Sequence, residues 1–238
     1  MANVLVTGGA GFIGSHLAER LLERGHAVRI LDDFSTGRRE NLAGFEADIE
    51  LLEGDVRDET TLSAVLDGID VVFHEAALAS VPRSVIDPAA SNDVNVTGTL
   101  RLLLAARDAG VRRLIYASSS SVYGNSPDLP KREEMAPSPE SPYAVSKLAA
   151  ENYCRAFSSL FEIECVALRY FNVFGPRQDP CSQYAAVVPL FVTALMRGEP
   201  PVVFGDGEQS RDFTYVGDVV DANMQAMERD GVSGEVLN

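Results

Sequence analysis

Short apolar runs rich in valine and isoleucine alternate along this chain with longer stretches whose apolar positions recur every three to four residues. The first pattern marks strands buried on both faces, the second amphipathic helices. Strands are expected at residues 3–7, 27–31, 49–53, 71–74, 113–117 and 164–169, and helices at 12–24, 60–66, 92–109 and 143–161. Alternation of this kind makes a parallel sheet covered by helices on both faces, a doubly wound α/β fold. Proline-rich segments at 127–142 and 176–189 interrupt it late in the chain, and loops of that length usually bind something. The expected division is therefore a sheet domain over 1–175 and a small, partial lobe over 176–238, interleaved with the last sheet elements. Residues 234–238 read as the opening of another strand, after which a continuation of the lobe is expected to be missing.

Composition narrows the partners. Across 238 residues, 20 Lys and Arg face 35 Asp and Glu, a formal net charge of −15 that disfavours nucleic acid. Hydrophobic residues at 46% against 23% charged support a packed core. No run approaches the ~20 apolar residues of a spanning helix, and the first residues lack the pattern of a secretory signal, so a cytoplasmic protein away from membranes is expected. Three cysteines without a C-x-x-C pair, and His16, His26 and His74 scattered along the chain, point to neither a disulfide framework nor a metal site.

The strongest local signal stands at the start. Val4-Leu-Val-Thr-Gly8-Gly-Ala-Gly11-Phe12-Ile13-Gly14 is an apolar strand running into a glycine-rich turn and then a helical pattern. Gly8 permits a tight turn, Gly11 lets backbone N–H groups approach a pyrophosphate, and Gly14 lets helix and strand pack closely. The next strand ends in Asp32, eighteen residues after Gly14, where a carboxylate binds a ribose diol and repels a 2′-phosphate. NAD is therefore the expected dinucleotide, although Arg38 and Arg39 follow closely and argue for NADP.

Further on, Ser118-Ser119-Ser120-Ser121 follows the strand at 113–117, at the sheet edge where such folds keep their ligands. Ser141-Pro-Tyr143-Ala-Val-Ser-Lys147 then opens a helix, with Tyr143 and Lys147 one turn apart. A neighbouring ammonium favours phenolate, so the Tyr143 pKa is expected below its ordinary ~10, making it a proton-transfer group.

Taken in order, Thr7-Gly-Gly-Ala-Gly-Phe-Ile-Gly14, Gly54-Asp55-Val56, His74-Glu-Ala-Ala77, Ser118-Ser119 with Val122-Tyr-Gly124, Tyr143-Ala-Val-Ser-Lys147, Arg169-Tyr-Phe-Asn172 and Ser210-Arg-Asp212-Phe resemble the extended short-chain dehydrogenase/reductases, and among them the nucleotide-sugar 4-epimerases. The loops at 80–84 and 172–180, with Tyr184-Ala-Ala-Val-Val-Pro189, look most like epimerases acting on UDP-N-acetylhexosamines. The resemblance implies a Rossmann fold, bound NAD and a UDP-hexose or UDP-N-acetylhexosamine substrate. It implies Ser119 as catalytic hydroxyl, Tyr143 as base and Lys147 as its partner, with Tyr143 and Lys147 also holding the cofactor. Asp55 and Val56 would hold adenine, Ala76, Ala77 and Leu78 would line the cofactor, Asn95 would support the site, and Tyr170 would sit near the nicotinamide. Ser80, Ser120 and Ser121 would face the sugar, Asn172 and Arg211 the diphosphate, Val187 and Phe204 the uracil. A homodimer through the helices at 92–109 and 143–161 is implied as well.

Relatives that dehydrate or decarboxylate their sugar carry acidic residues just after the catalytic hydroxyl. Ser120 and Ser121 stand there in this chain, and a serine does not titrate near neutrality, so epimerisation at C4 through a transient 4-keto sugar is the favoured reaction. A reductase consuming NAD(P)H on a keto-sugar, or a binding module without turnover, remains an alternative.

Overall fold

The structure is a computed structural model that describes residues 1–179, 187–203 and 205–238. Its strands are β1 (Asn3–Thr7), β2 (Ala27–Asp32), β3 (Glu50–Glu53), β4 (Val71–His74), β5 (Arg113–Ser119), β6 (Glu164–Tyr170), β7 (Val173–Phe174), β8 (Thr214–Tyr215) and β9 (Val236–Leu237). The helices are α1 (Phe12–Glu23), α2 (Glu59–Val65), α3 (Val81–Ile86), α4 (Pro88–Asn92), α5 (Thr99–Asp108), α6 (Pro142–Leu160), α7 (Val187–Met196) and α8 (Val216–Glu228). Seven strands form one parallel sheet in the order β3-β2-β1-β4-β5-β6-β9, and β7 pairs with β8 apart from it. This is the expected Rossmann-like doubly wound fold. The order reverses between β1 and β4, and at such a switch point the loops leaving the two strands part to leave a crevice.

Side chains alternate across the sheet as strand geometry requires. Val4 and Val6 join Leu17, Leu21, Phe73 and Ile115 on the face covered by α1 and α8, whereas Leu5 joins Leu62, Val72, Leu102 and Leu114 on the face covered by α2, α5 and α6.

Three strands run further than their apolar pattern predicts. β2 includes Asp32, β5 extends to Ser119 and β6 to Tyr170, and Ser119 sits in register with Tyr170. Each polar residue thus stands on the last rung of its strand, at the sheet's carboxyl edge. The expected helix 92–109 is not continuous: a π-helical turn, Asp93–Gly98, separates α4 from α5. The wider turn accompanies an inward Asn95 side chain, which accepts from Leu78 N at 2.8 Å and donates to Ser146 Oγ at 3.0 Å.

The pattern also understates the end of the chain. Val216, Val219, Val220, Met224 and Met227 make a buried stripe along α8, which packs on α1, and β9 adds Val236 and Leu237 beside Ala167 and Leu168 of β6. Arg113 ties α8 down, its buried guanidinium donating to the carbonyls of Ala226, Met227 and Arg229 at the helix end. No described helix is long and apolar enough to cross a membrane.

Candidate active site

A cleft of about 930 Å³ opens at the switch point. Its floor is the glycine turn. Gly8 has φ +70°, and a Cβ there would stand 2.7 Å from Ala76 N, while a Cβ on Gly14 would run into the Gly8 carbonyl. A side chain on Gly11 meets only the Gly8 carbonyl, at 3.0 Å. The turn is therefore a cradle that any side chain would fill, at the N-terminus of α1, as a pyrophosphate requires.

Asp32 closes one end. Its Oδ2 accepts from Ala10 N and its Oδ1 from Phe34 N, both at 2.9 Å, fixing the carboxylate toward the cleft. Burial raises its pKa, and the two backbone hydrogen bonds work against the rise. The arginines that argued for NADP are already paired: Arg38 with Asp179 at 2.8 Å, Arg39 with Glu53 at 2.8 Å while also covering the Phe34 ring. Neither needs a 2′-phosphate to balance its charge.

Of the residues expected to hold cofactor, Gly8, Gly11, Phe12, Ile13, Gly14, Asp32, Asp55, Val56, Ala76, Ala77 and Leu78 line this cleft. Asn95, Tyr143, Lys147 and Tyr170 do not line it; they stand behind it. Asp55 also secures a turn, accepting from Arg57 N at 2.7 Å, and the Arg57 guanidinium holds its carboxyl below the usual range. Ser80 lines the cleft and caps α3, accepting from Arg83 N at 3.2 Å.

The Ser119 hydroxyl stands near enough to the Tyr143 phenol to influence its ionisation. Their elements explain the approach: β5 ends on Ser119, while Ser141 caps α6, accepting from Ala144 N, so that Tyr143 falls in the first turn beside it. The ionisation differs from expectation. Burial pushes the Tyr143 phenol above its ordinary value, the Ser119 hydroxyl draws it down, and Glu75 raises it. Lys147 does not produce the expected fall, because its ammonium is 6.0 Å from the Tyr143 ring centroid and spends a hydrogen bond of 2.8 Å on the Ala117 carbonyl. Burial brings Lys147 itself down to about 8.

Behind the pair runs a buried ladder of side chains. Ala76 N donates to Thr7 Oγ1 (3.4 Å), which meets His74 Nδ1 (2.7 Å); His74 Nε2 meets Thr99 Oγ1 (2.8 Å), which donates to the Asn95 carbonyl (2.7 Å). Because Thr99 gives its proton to a carbonyl, it accepts from an Nε2–H imidazole, and Nδ1 accepts from Thr7. Asn95 Nδ2 continues to Ser146 Oγ, which donates to the Tyr143 carbonyl at 2.8 Å. His74 is thereby neutral, and burial lowers its pKa to about 3.

Ser120 and Ser121 form the short 3-10 turn after Ser119, and Ser121 Oγ is buried without a partner among the described residues. Asn172 donates to the Asp212 carbonyl at 3.0 Å, so the β7–β8 pairing brings the Asn172 and Arg211 loops together; Arg211 is exposed. Val187 begins α7 and is 40% exposed. Phe204 and residues 180–186 lie outside the described residues. Residue reasoning gave no role to Glu75, which lines the cleft and accepts from the Tyr170 hydroxyl at 2.7 Å, nor to Asn223, which donates to that hydroxyl at 2.7 Å. Glu75 lies within a quoted motif, but only the fold shows which way it faces.

A glycine cradle at a helix N-terminus, an acidic residue ending the second strand and a serine–tyrosine–lysine set at the same edge define a dinucleotide-dependent enzyme of the short-chain dehydrogenase/reductase kind. Comparison with known proteins agrees: residues 4–238 match the NAD dependent epimerase/dehydratase family. The chain is 47% identical over 227 residues to a UDP-glucose 4-epimerase of Mycolicibacterium smegmatis, covering 93% of this chain and 72% of the relative. Among solved structures it is similar to a UDP-N-acetylglucosamine 4-epimerase from Methanobrevibacter ruminantium in complex with UDP-N-acetylmuramic acid (44% identity, TM-score 0.94, covering 99% of this chain and 75% of the other). It is also similar to DesIV, a dTDP-glucose 4,6-dehydratase from Streptomyces venezuelae solved with NAD (34% identity, TM-score 0.91, 98% of this chain and 74% of the other). The chain belongs to the NAD dependent epimerase/dehydratase family, and NAD is its cofactor.

Proposed function

We propose that this protein inverts C4 of a UDP-hexose or UDP-N-acetylhexosamine through a transient 4-keto sugar, holding NAD tightly throughout. The observation that carries the reading is the juxtaposition of Ser119, on the last rung of β5, with Tyr143, in the first turn of α6, at the edge of a dinucleotide-sized cleft, with no carboxylate following Ser119. The epimerase names of the relatives support it, while the dehydratase among the similar structures shows that the family is broader.

The glycine cradle would hold the pyrophosphate, Asp32 the adenosine ribose, and Asp55 and Val56 the adenine. When bound, NAD supplies a reversible hydride acceptor. Tyr143 takes the proton of the sugar's 4-hydroxyl, with Ser119 bridging the two oxygens, and returns it once the sugar has presented its other face. Lys147 braces the end of β5 through Ala117 and keeps positive charge near the phenol. Asn172, Arg211, Val187 and Phe204 would hold the UDP portion, with Ser80, Ser120 and Ser121 toward the sugar. Apolar residues exposed on the faces of α5 and α6, among them Leu104, Val145 and Tyr153, fit a homodimer, which sedimentation velocity would test.

The deciding experiment supplies purified protein with UDP-glucose, UDP-N-acetylglucosamine or UDP-glucuronate, without added NAD, and follows the C4 epimer by NMR. Product without added cofactor supports the cycle. Tyr143→Phe should retain NAD and lose turnover by at least a hundredfold; a variant as active as the parent would remove Tyr143 from the mechanism.

A further inference from the structure

Asp55 lines the cleft between Gly54 and Val56, and a single neighbour takes most of its hydrogen-bonding capacity. Arg57 offers it three N–H groups: the backbone N donates to Oδ1 at 2.7 Å, Nε to Oδ1 and Oδ2 at 3.0 Å each, and Nη2 to Oδ2 at 2.6 Å. An ionised carboxylate has about four lone-pair sites, so three donors leave one. The planar guanidinium fork also fixes the plane of the carboxylate, and with it the direction of the site that remains.

Arg57 is itself held from the other side. Its Nη1 donates to Asp93 Oδ2 at 2.7 Å, on the π-helical turn, and its carbonyl accepts from Arg101 Nη1 of α5. Gly98 lets these elements approach, since a Cβ there would stand 3.0 Å from Val56 Cγ2 and 3.6 Å from Arg57 Cγ. One guanidinium thus spans two carboxylates, with Asp55 on its Nε–Nη2 edge and Asp93 on Nη1, a division that the single ammonium of a lysine does not reproduce. The Arg57 side chain is 38% exposed and its partners 31% and 51%, so the two ion pairs add little to stability. What the arrangement supplies is orientation.

We propose that Arg57 is a positioning residue for the cofactor: it aims the one remaining lone pair of Asp55 at the 6-amino group of the adenine and so selects adenine over a 6-oxo purine. This rests on Asp55 and Val56 holding the adenine. A 6-amino group donates to a carboxylate, whereas the 6-oxo group of hypoxanthine sets lone pairs against it. A carboxylate released from the fork can turn to the N1–H of hypoxanthine, so discrimination depends on its being held.

The test is displacement of radiolabelled NAD from the full-length chain by unlabelled NAD or by nicotinamide hypoxanthine dinucleotide, read as the ratio of their half-displacing concentrations. The parent should prefer NAD by about tenfold or more, the worth of a hydrogen bond to a charged acceptor. In Arg57→Ala that preference should fall by about threefold or more. A turn merely loosened would weaken both dinucleotides alike, so an unchanged ratio in folded Arg57→Ala overturns the proposal. Should that variant fail to fold, Arg57→Lys keeps the charge without the fork and must lower the ratio too; an unchanged ratio there overturns the proposal equally. Asp55→Ala separates the proposal from the contact it rests on. If its ratio equals the parent's, Asp55 does not meet the adenine and both fall; if Asp55→Ala loses the preference while Arg57→Ala keeps it, only the role of Arg57 falls. No turnover is measured, so the epimerase reading stands or falls separately.

Discussion

The sheet edge that carries Ser119 and Tyr170 rests on a buried ion pair, and breaking it should be costly. Arg169 and Glu151 are 4% and 1% exposed, joined by Nη2–Oε1 at 2.7 Å and Nε–Oε2 at 3.0 Å. Ser118 adds a hydrogen bond to Glu151 at 2.8 Å, and Arg169 Nη1 donates to the Tyr123 hydroxyl at 2.7 Å. Glu151→Ala leaves a guanidinium in the core without a counter-charge, a change that costs about 3–5 kcal/mol. A domain is stable by roughly 5–15 kcal/mol, and at about 2–4 °C per kcal/mol for a chain of this length the melting temperature should fall by about 6–20 °C. Replacing both partners, Glu151→Leu with Arg169→Met, removes the orphaned charge and should recover most of the loss. Urea unfolding followed by circular dichroism, with calorimetry for the melting temperature, reads both variants. A single variant that loses less than about 1 kcal/mol, or a double variant no better than the single, would refute the reasoning. Because Ser118 precedes Ser119, Arg169 precedes Tyr170 and Glu151 lies one turn past Lys147, kcat should fall in the single variant before the fold is lost.

Asp32→Ala removes hydrogen bonds from a charged acceptor, about 1.5–3 kcal/mol, and should weaken NAD binding about ten- to a hundredfold in a fluorescence titration. It should not confer NADP binding, because Arg38 is held by Asp179; the pair Asp32→Ala with Asp179→Asn should bind NADP better than Asp32→Ala alone. His74 has a folded pKa of about 3 against 6.5 when unfolded, so the unfolded chain binds the extra proton between those values. Its stabilising contribution is complete above about pH 6.5 and lost as pH falls toward 3, to a limit of roughly 5 kcal/mol. Urea midpoints at pH 4.5 and 7 should differ more in the parent than in His74→Gln.

The glycine turn, Asp32 and the Tyr143–Lys147 spacing were legible because each follows from one local rule: backbone clearance, strand end, helical turn. Strand ends were less so, since Ser119 and Tyr170 are polar and extend their strands through pairing with each other. The π turn was hidden because Asn95 reads as an ordinary polar helix position until Leu78 and Ser146 surround it. The stripe on α8 is present in the sequence, yet it lies beyond the proline-rich segment and was assigned to the lobe. The ionisation of Tyr143 could not be read at all: helical spacing places Lys147 nearby, but the direction of the shift depends on burial and on Glu75, which arrives from another strand.

The ladder from Ala76 to Tyr143 has one further implication. Each hydroxyl and the imidazole along it have a single arrangement of hydrogens that serves every neighbour, so rotating any one O–H would set donor against donor or lone pair against lone pair at the next rung. The run therefore has polarity, with Thr7, His74 and Thr99 locked in one orientation and Ser146 fixed separately by the Asn95 side-chain amide. The strand beneath the phosphate cradle and the helix bearing the Tyr143 phenol are thus joined by side chains as well as through the sheet, and a pyrophosphate in the cradle and that phenol would share one frame.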